Sequence, residues 1–135
     1  MPLLVDTGVV YALADRRDAW HQRVVAYLKA SPQPLLAPVT ILPEVAYLLR
    51  ERIGPRAEQA FVTSLARGEV VVEDLAPKDW TRVEALMRRY EILGLVDASV
   101  IAVAERLKLQ KLATTDRRHF GVVRPAHVTQ FELVP

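Results

Sequence analysis

This chain predicts a three-layer α/β/α fold around a short, mostly parallel central sheet, and three observations predict it. Apolar runs of strand length recur at residues 2–5, 35–39, 70–72 and 112–115. Between them, apolar side chains return at intervals of three and four, the period of a helix with one buried face. Glycine, proline and short polar clusters separate the two patterns at most junctions. With 135 residues, the chain reads as a single domain, residues 1–135, able to bury a core of its own.

In order, residues 2–5 read as a first, central strand that delivers Asp6 at its carboxyl end, with Thr7 and Gly8 next. Val9, Val10, Leu13 and Ala14 mark one helical stripe, broken by Asp15-Arg16-Arg17-Asp18. Trp20, Val24, Tyr27 and Leu28 mark a second, and Ser31-Pro32-Gln33-Pro34 stops it. After the strand at 35–39, Thr40 suits the N-cap of a helix whose stripe is Ile41, Val45, Leu48 and Leu49. Gly54-Pro55 closes that helix and opens another, with Ala57, Ala60, Phe61, Ser64 and Leu65 on one side and Gly68 just past its end. Pro77 starts a helix carrying Trp80, Val83, Leu86, Met87 and Tyr90, and Gly94 breaks it. Trp20 and Trp80 lie on helical stripes and read as core or interface residues. Asp97 then opens a pattern of Val100, Ile101, Ala104 and Leu107, and the strand at 112–115 ends at Asp116. Residues 128–134 read as a final edge strand.

The composition is that of a soluble globular protein, 51% hydrophobic and 25% charged. No apolar run approaches the roughly 20 residues a membrane span needs. The opening MPLLVDTG lacks the basic region and cleavage site of a signal peptide, so a cytoplasmic location is expected. The absence of cysteine excludes a disulfide framework and a thiolate metal site. A net charge of +2 does not by itself argue for nucleic acid. Yet fourteen of the eighteen basic residues are Arg, the side chain best suited to paired phosphate contacts.

Four carboxylates stand out by position: Asp6 after the first strand, Glu44 bordering an apolar helix face, Asp97 at a helix start and Asp116 after a late strand. Each alone has an ordinary structural use, as an N-cap, a capping-box acid or a turn residue. Together they fall where a parallel sheet gathers its ligand-binding crevice, beyond the carboxyl ends of the strands. Four converging carboxylates repel one another, and bound divalent cations relieve that repulsion. All-oxygen donors without cysteine favour a hard ion, Mg²⁺ or Mn²⁺, over zinc. Without these four, eighteen basic groups face twelve acids, the layout of a basic surface around an acidic centre that handles phosphodiesters. A metal-bound water attacking phosphorus in line needs no side-chain nucleophile, and the sequence has neither a Cys nor a Gly-x-Ser-x-Gly elbow.

Asp6-Thr7 after an apolar strand, Glu44 in PEVAYLL, Asp97 in DASVIA and Asp116 in TTDRRHF resemble the PIN-domain nucleases, and more narrowly the VapC ribonuclease toxins of type II toxin–antitoxin pairs. The resemblance runs from Leu3 to about Phe120. It implies a PIN-like fold and a Mg²⁺- or Mn²⁺-dependent endoribonuclease that cuts structured cellular RNA, tRNA or rRNA, and stops translation. It also implies a homodimer held inactive by a VapB-type antitoxin that covers the metal site with a basic side chain. Carried over by position, Asp6, Glu44, Asp97 and Asp116 would hold the metal, with the Thr7 and Thr115 hydroxyls beside it. Some members carry a further acid soon after the last one. Here Arg117, Arg118 and His119 follow, which leaves a second metal site short of ligands until RNA phosphate supplies them.

Arg117 and Arg118 are candidates for RNA phosphate contact, with a solvated basic turn as the alternative. A lone His after a turn, as His119 is, more often packs or faces solvent than acts. Two other acid-rimmed α/β folds fit poorly. A receiver domain wants paired acids after the first strand, and a HAD-like phosphatase wants an acid where Gly8 stands. A PIN fold that has lost catalysis and serves as a binding module is the alternative that metal titration and an RNA cleavage assay would separate.

Overall fold

The computed structural model describes residues 2–135. In chain order it contains β1 (Leu3–Val5), α1 (Thr7–Ala14), α2 (His21–Ala30), β2 (Leu35–Pro38), a 3-10 turn (Val39–Ile41), α3 (Leu42–Arg52) and α4 (Pro55–Ala66). There follow β3 (Val70–Glu73), α5 (Pro77–Arg89), α6 (Leu95–Leu107), β4 (Lys111–Ala113), α7 (Arg117–Gly121) and β5 (Glu132–Val134). The five strands form one sheet in the order β3-β2-β1-β4-β5, and every pairing is parallel. The three-layer α/β/α fold expected from the alternating pattern is the one found.

β1 is central, and Leu3, Leu4 and Val5 are wholly buried. A parallel strand covered on both faces needs an unbroken apolar run, and these three residues supply it. From β1 the chain steps outward through β2 to β3, then crosses back to place β4 on the other side of β1. Right-handed crossovers then put α1 to α4 on one face and α5 to α7 on the other. The packing agrees, with α1 against α3 and α5 against α6. The order in which strands are added reverses between β1 and β4, and the crevice at such a switch point is where open α/β sheets bind ligands. Asp6 leaves β1 and Asp116 follows β4 at that crevice.

α6 is buried nearly all round over its middle, Ala98 to Ala104, as its Ala- and Val-rich sequence requires. Its far end is locked to α5. Arg106 donates through Nε to Asp79 Oδ2 at 2.9 Å, and through Nη2 to Glu73 Oε2 at 3.1 Å and the Asp74 carbonyl at 3.0 Å. Asp79 also accepts the Ala76 amide at 2.8 Å, so one buried carboxylate caps α5 and ties it to α6. Arg82 pairs with Glu105 through two bonds of 2.7 and 3.0 Å between the same helices.

Several expectations about element ends need correction. Thr40 does not cap a helix. It lies in the 3-10 turn, and its hydroxyl meets Ser99 Oγ at 2.5 Å. Asp97 is not the residue that opens α6 but stands in its first turn, with Gly94 at the N-cap. The fourth strand ends at Ala113, which frees Thr114 and Thr115 for the loop. The tail pairs only over Glu132–Val134, at the sheet edge. Trp80 is 48% exposed and so is not a core residue, whereas Trp20 packs partly buried against the core. Gly68 does stand just past α4, at φ 73°, where only glycine is unstrained. There the Gly68 amide bonds to the Leu65 carbonyl and the Glu69 amide to that of Ser64, a Schellman closure. Among the described residues no helix is long and apolar enough to cross a membrane.

Candidate metal centre

Asp6 does what an N-cap does, and more. Its Oδ1 accepts the Val9 amide at 2.9 Å, fixing the carboxylate over the first turn of α1. Its Oδ2 accepts the Thr114 hydroxyl, and the same hydroxyl accepts the Asp116 amide at 2.8 Å. Thr114 therefore ties the end of β1 to the loop that presents Asp116. The residue is wholly buried, and sequence reading passed over it in favour of Thr115. The adjacent hydroxyls of the Thr-Thr pair were the available signal, with nothing to say which one faced inward.

Asp116 caps α7 through Oδ1, which accepts the His119 amide at 2.9 Å. Its Oδ2 stands 2.9 Å from His119 Nδ1, and the same nitrogen lies 3.0 Å from Asp97 Oδ2. His119 thus bridges two of the candidate ligands, a part that its lone position in the sequence did not reveal. Ser99, two residues beyond Asp97, joins α6 to Thr40 and hence to the segment leading into Glu44. Glu44 lies exposed in the first turn of α3 and makes no capping hydrogen bond among the described residues.

These side chains open on one cavity of about 490 Å³. Asp6, Thr7, Glu44, Asp97, Thr115, Asp116 and His119 line it, and no Lys or Arg does so among the described residues. Of the residues singled out from sequence, Arg117 and Arg118 are not brought there. Arg117 donates to the Pro135 carbonyl and lies 6.0 Å from the Trp20 ring. Arg118 is exposed on α7 and makes no ion pair among the described residues.

The electrostatics are those of a crowded anion. Burial pushes the Asp6 carboxyl up to about 7; bonds from Thr114 and Val9 oppose that rise, and the nearby charges of Asp97 and Asp116 add to it. Asp97 is raised too, by burial first, against the opposing contact with His119, with Asp116 and Glu44 adding repulsion. Thr7 Oγ1, in the same cavity and only 9% exposed as a residue, has no hydrogen-bond partner among the described residues. A buried hydroxyl without a partner, beside four carboxylates that no Lys or Arg faces among the described residues, fits a hard divalent cation bound through oxygen.

Gly8 sets how closely the two loops approach. A Cβ built there would stand 2.2 Å from Thr115 Oγ1 and 3.7 Å from Asp6 Oδ1. Gly8→Ala must turn the Thr115 side chain out of place. Displacing reacting groups by an ångström can cost about a hundredfold in rate. The expected result is cleavage down roughly ten- to a hundredfold in a folded protein, read from initial rates beside a melting curve. Unchanged rates would mean that the Thr115 rim is not part of the site.

A PIN-domain family model matches residues 3–124. Ribonuclease VapC26 of Mycobacterium tuberculosis is 26% identical over 135 residues, spanning 98% of this chain and all of the relative. The crystal structure of M. tuberculosis VapC20, described as a sarcin-ricin loop cleaving toxin, superposes with a TM-score of 0.80 at 25% identity. That match covers 93% of this chain and 98% of the other. A toxin–antitoxin complex from Klebsiella pneumoniae shares the fold at a TM-score of 0.73 and 21% identity, over 98% and 96% of the two chains.

Proposed function

The chain belongs to the PIN-domain family, and on that premise we propose that it is a VapC-type toxin, a metal-dependent endoribonuclease acting as one nuclease domain over residues 1–135. Its substrate is structured cellular RNA, a tRNA or an rRNA, and its effect is to stop translation. The observation that carries this reading is the meeting of Asp6, Glu44, Asp97 and Asp116 at one open cavity that, among the described residues, no basic side chain other than His119 lines. The ribonuclease name of the 26%-identical relative supports the substrate class.

Asp6, Glu44, Asp97 and Asp116 would hold Mg²⁺ or Mn²⁺, with the Thr7 and Thr115 hydroxyls beside it. When bound, such an ion lowers the pKa of a water toward neutrality and stabilises charge on the phosphate during in-line displacement. The protein's part is position. Asp6 is held at both oxygens, by Val9 and Thr114, so it presents a fixed carboxylate edge. Asp116 is held by its own helix cap and through its amide by Thr114. Glu44, exposed and unbonded, is free to adjust to the ion and the RNA. Arg118 is better placed than Arg117 to meet a phosphate, because Arg117 is engaged by Pro135 and Trp20.

An acidic cavity open to solvent is also what the basic side chain of a VapB-type antitoxin would cover, and the likeness to a chain from a toxin–antitoxin complex supports that partner. A homodimer is part of the same proposal. The exposed apolar side chains Tyr47 and Val62 on α3 and α4, and Trp80 and Met87 on α5, are the surfaces available for it.

The test is to incubate purified protein with total RNA in Mg²⁺, in Mn²⁺ and in chelator, and to sequence the ends formed. Discrete fragments that need the metal are expected. Metal binding without cleavage of any RNA would overturn the nuclease reading in favour of a binding module.

A further inference from the structure

Building on the metal-nuclease reading above, we infer that His119 supplies a nitrogen ligand to the same centre through Nδ1, and that this ligand biases the centre toward Mn²⁺ over Mg²⁺. The geometry of three atoms carries the inference. His119 Nδ1 stands 3.0 Å from Asp97 Oδ2 and 2.9 Å from Asp116 Oδ2, and the ligand atoms of these three residues all lie within 4.8 Å of one another. An octahedral ion with bonds of about 2.1 Å has neighbouring ligands about 3.0 Å apart, so the three atoms already hold the spacing of adjacent ligands.

Local structure keeps the imidazole there. Asp116 caps α7 with Oδ1 on the His119 amide, which sets the ring over the first turn with Nδ1 facing back to the carboxylates. The neighbouring Phe120 is buried and anchors the short helix. A second, independent sign that this pocket takes a ligand is the Thr7 hydroxyl, buried in the same cavity with no partner among the described residues.

The choice of ion follows from the donor set. Mg²⁺ takes oxygen ligands and keeps its waters. An imidazole nitrogen adds affinity for first-row transition ions over Mg²⁺, and Mn²⁺ is among those that also suit a carboxylate-rich site.

The test uses the whole protein loaded with Mn²⁺ alone, and pulsed electron paramagnetic resonance to detect directly bound ¹⁴N. Calorimetric affinities for Mn²⁺ and Mg²⁺ accompany it for wild type, His119→Ala and His119→Asn, with melting curves to establish folding. The expected result is a nitrogen coupling in wild type that both variants lose. Mn²⁺ affinity should fall about tenfold or more, the scale of losses around metal centres, and Mg²⁺ affinity should change much less. Mn²⁺ bound without a nitrogen coupling would overturn the inference and leave the metal-nuclease reading standing. So would an equal loss of both ions in the variants, which would make His119 a positioning residue for Asp97 and Asp116. Failure of wild type to bind any divalent ion would remove the metal-nuclease reading itself.

Discussion

Asp97→Asn is expected to lower RNA cleavage by about a thousandfold or more while the chain stays folded. Removing one preorganised electrostatic group from an active site costs on the order of 10²–10³ in rate. Here the lost charge is also one of the groups proposed to retain the ion. The fold should survive because Asp97 stands in the first turn of α6 without capping it, and because its raised pKa marks the charged form as poorly accommodated. Asn keeps the volume and removes the repulsion that Asp97 exerts on Asp6. Single-turnover cleavage of one defined RNA, beside a melting curve, checks both halves. Full activity in the purified variant would sink the metal-site assignment.

The second large effect is on stability alone. Arg106→Ala is expected to destabilise the protein by about 3–5 kcal/mol, the usual result of removing one partner from a buried ion pair. Asp79 is 2% exposed, and Arg106 is its only ion-pair partner among the described residues. The loss is large against the roughly 5–15 kcal/mol that holds a domain of this size together. Chemical denaturation checks it. Asp79→Asn in the Arg106→Ala background should recover part of the loss, because it removes the stranded charge. A loss below about 1 kcal/mol, the usual worth of an exposed pair, would mean that water reaches the site.

Much of this was legible in the sequence because apolar pattern and turn chemistry agree along the chain. Leu3-Leu4-Val5 suits a strand covered on both faces, and Gly68 just past a helical stripe suits the positive φ of a C-terminal cap. The four acids were legible as a set, since each follows a strand or borders a helix start at the same end of a parallel sheet. What stayed hidden depended on pairs of residues far apart in sequence. Thr40 looked like an N-cap because local chemistry allows it, but Ser99, fifty-nine residues away, takes its hydroxyl. Thr114 and Thr115 are alike until Asp6 selects one of them. His119 read more readily as a packing or surface residue than as a functional one until α7 turned it back over Asp116. Nothing in a helical stripe foretold that Trp80 would face solvent, because a stripe gives a face but not what covers it.

The most direct test of the central claim, that these carboxylates are arranged for a cation and not for the fold, is a melting comparison of wild type with Asp6→Asn. Asp6 stays protonated in the fold up to about 7, whereas its ordinary value is 3.8. The folded state therefore holds the extra proton, and stability falls as pH rises from about 4 to about 7 and levels off above that. At about 1.4 kcal/mol per tenfold change, the charged Asp6 costs roughly 4 kcal/mol at pH 8. A mismatched bond from Asn to Thr114 gives back about 1 kcal/mol of the gain. At pH 8 in chelator, Asp6→Asn should melt above wild type, and the gap should narrow as pH falls and close at about pH 4. Added Mn²⁺ should then raise the melting temperature of wild type and leave that of the variant nearly unmoved. A wild type that is indifferent to metal and already the more stable of the two at pH 8 would contradict the account.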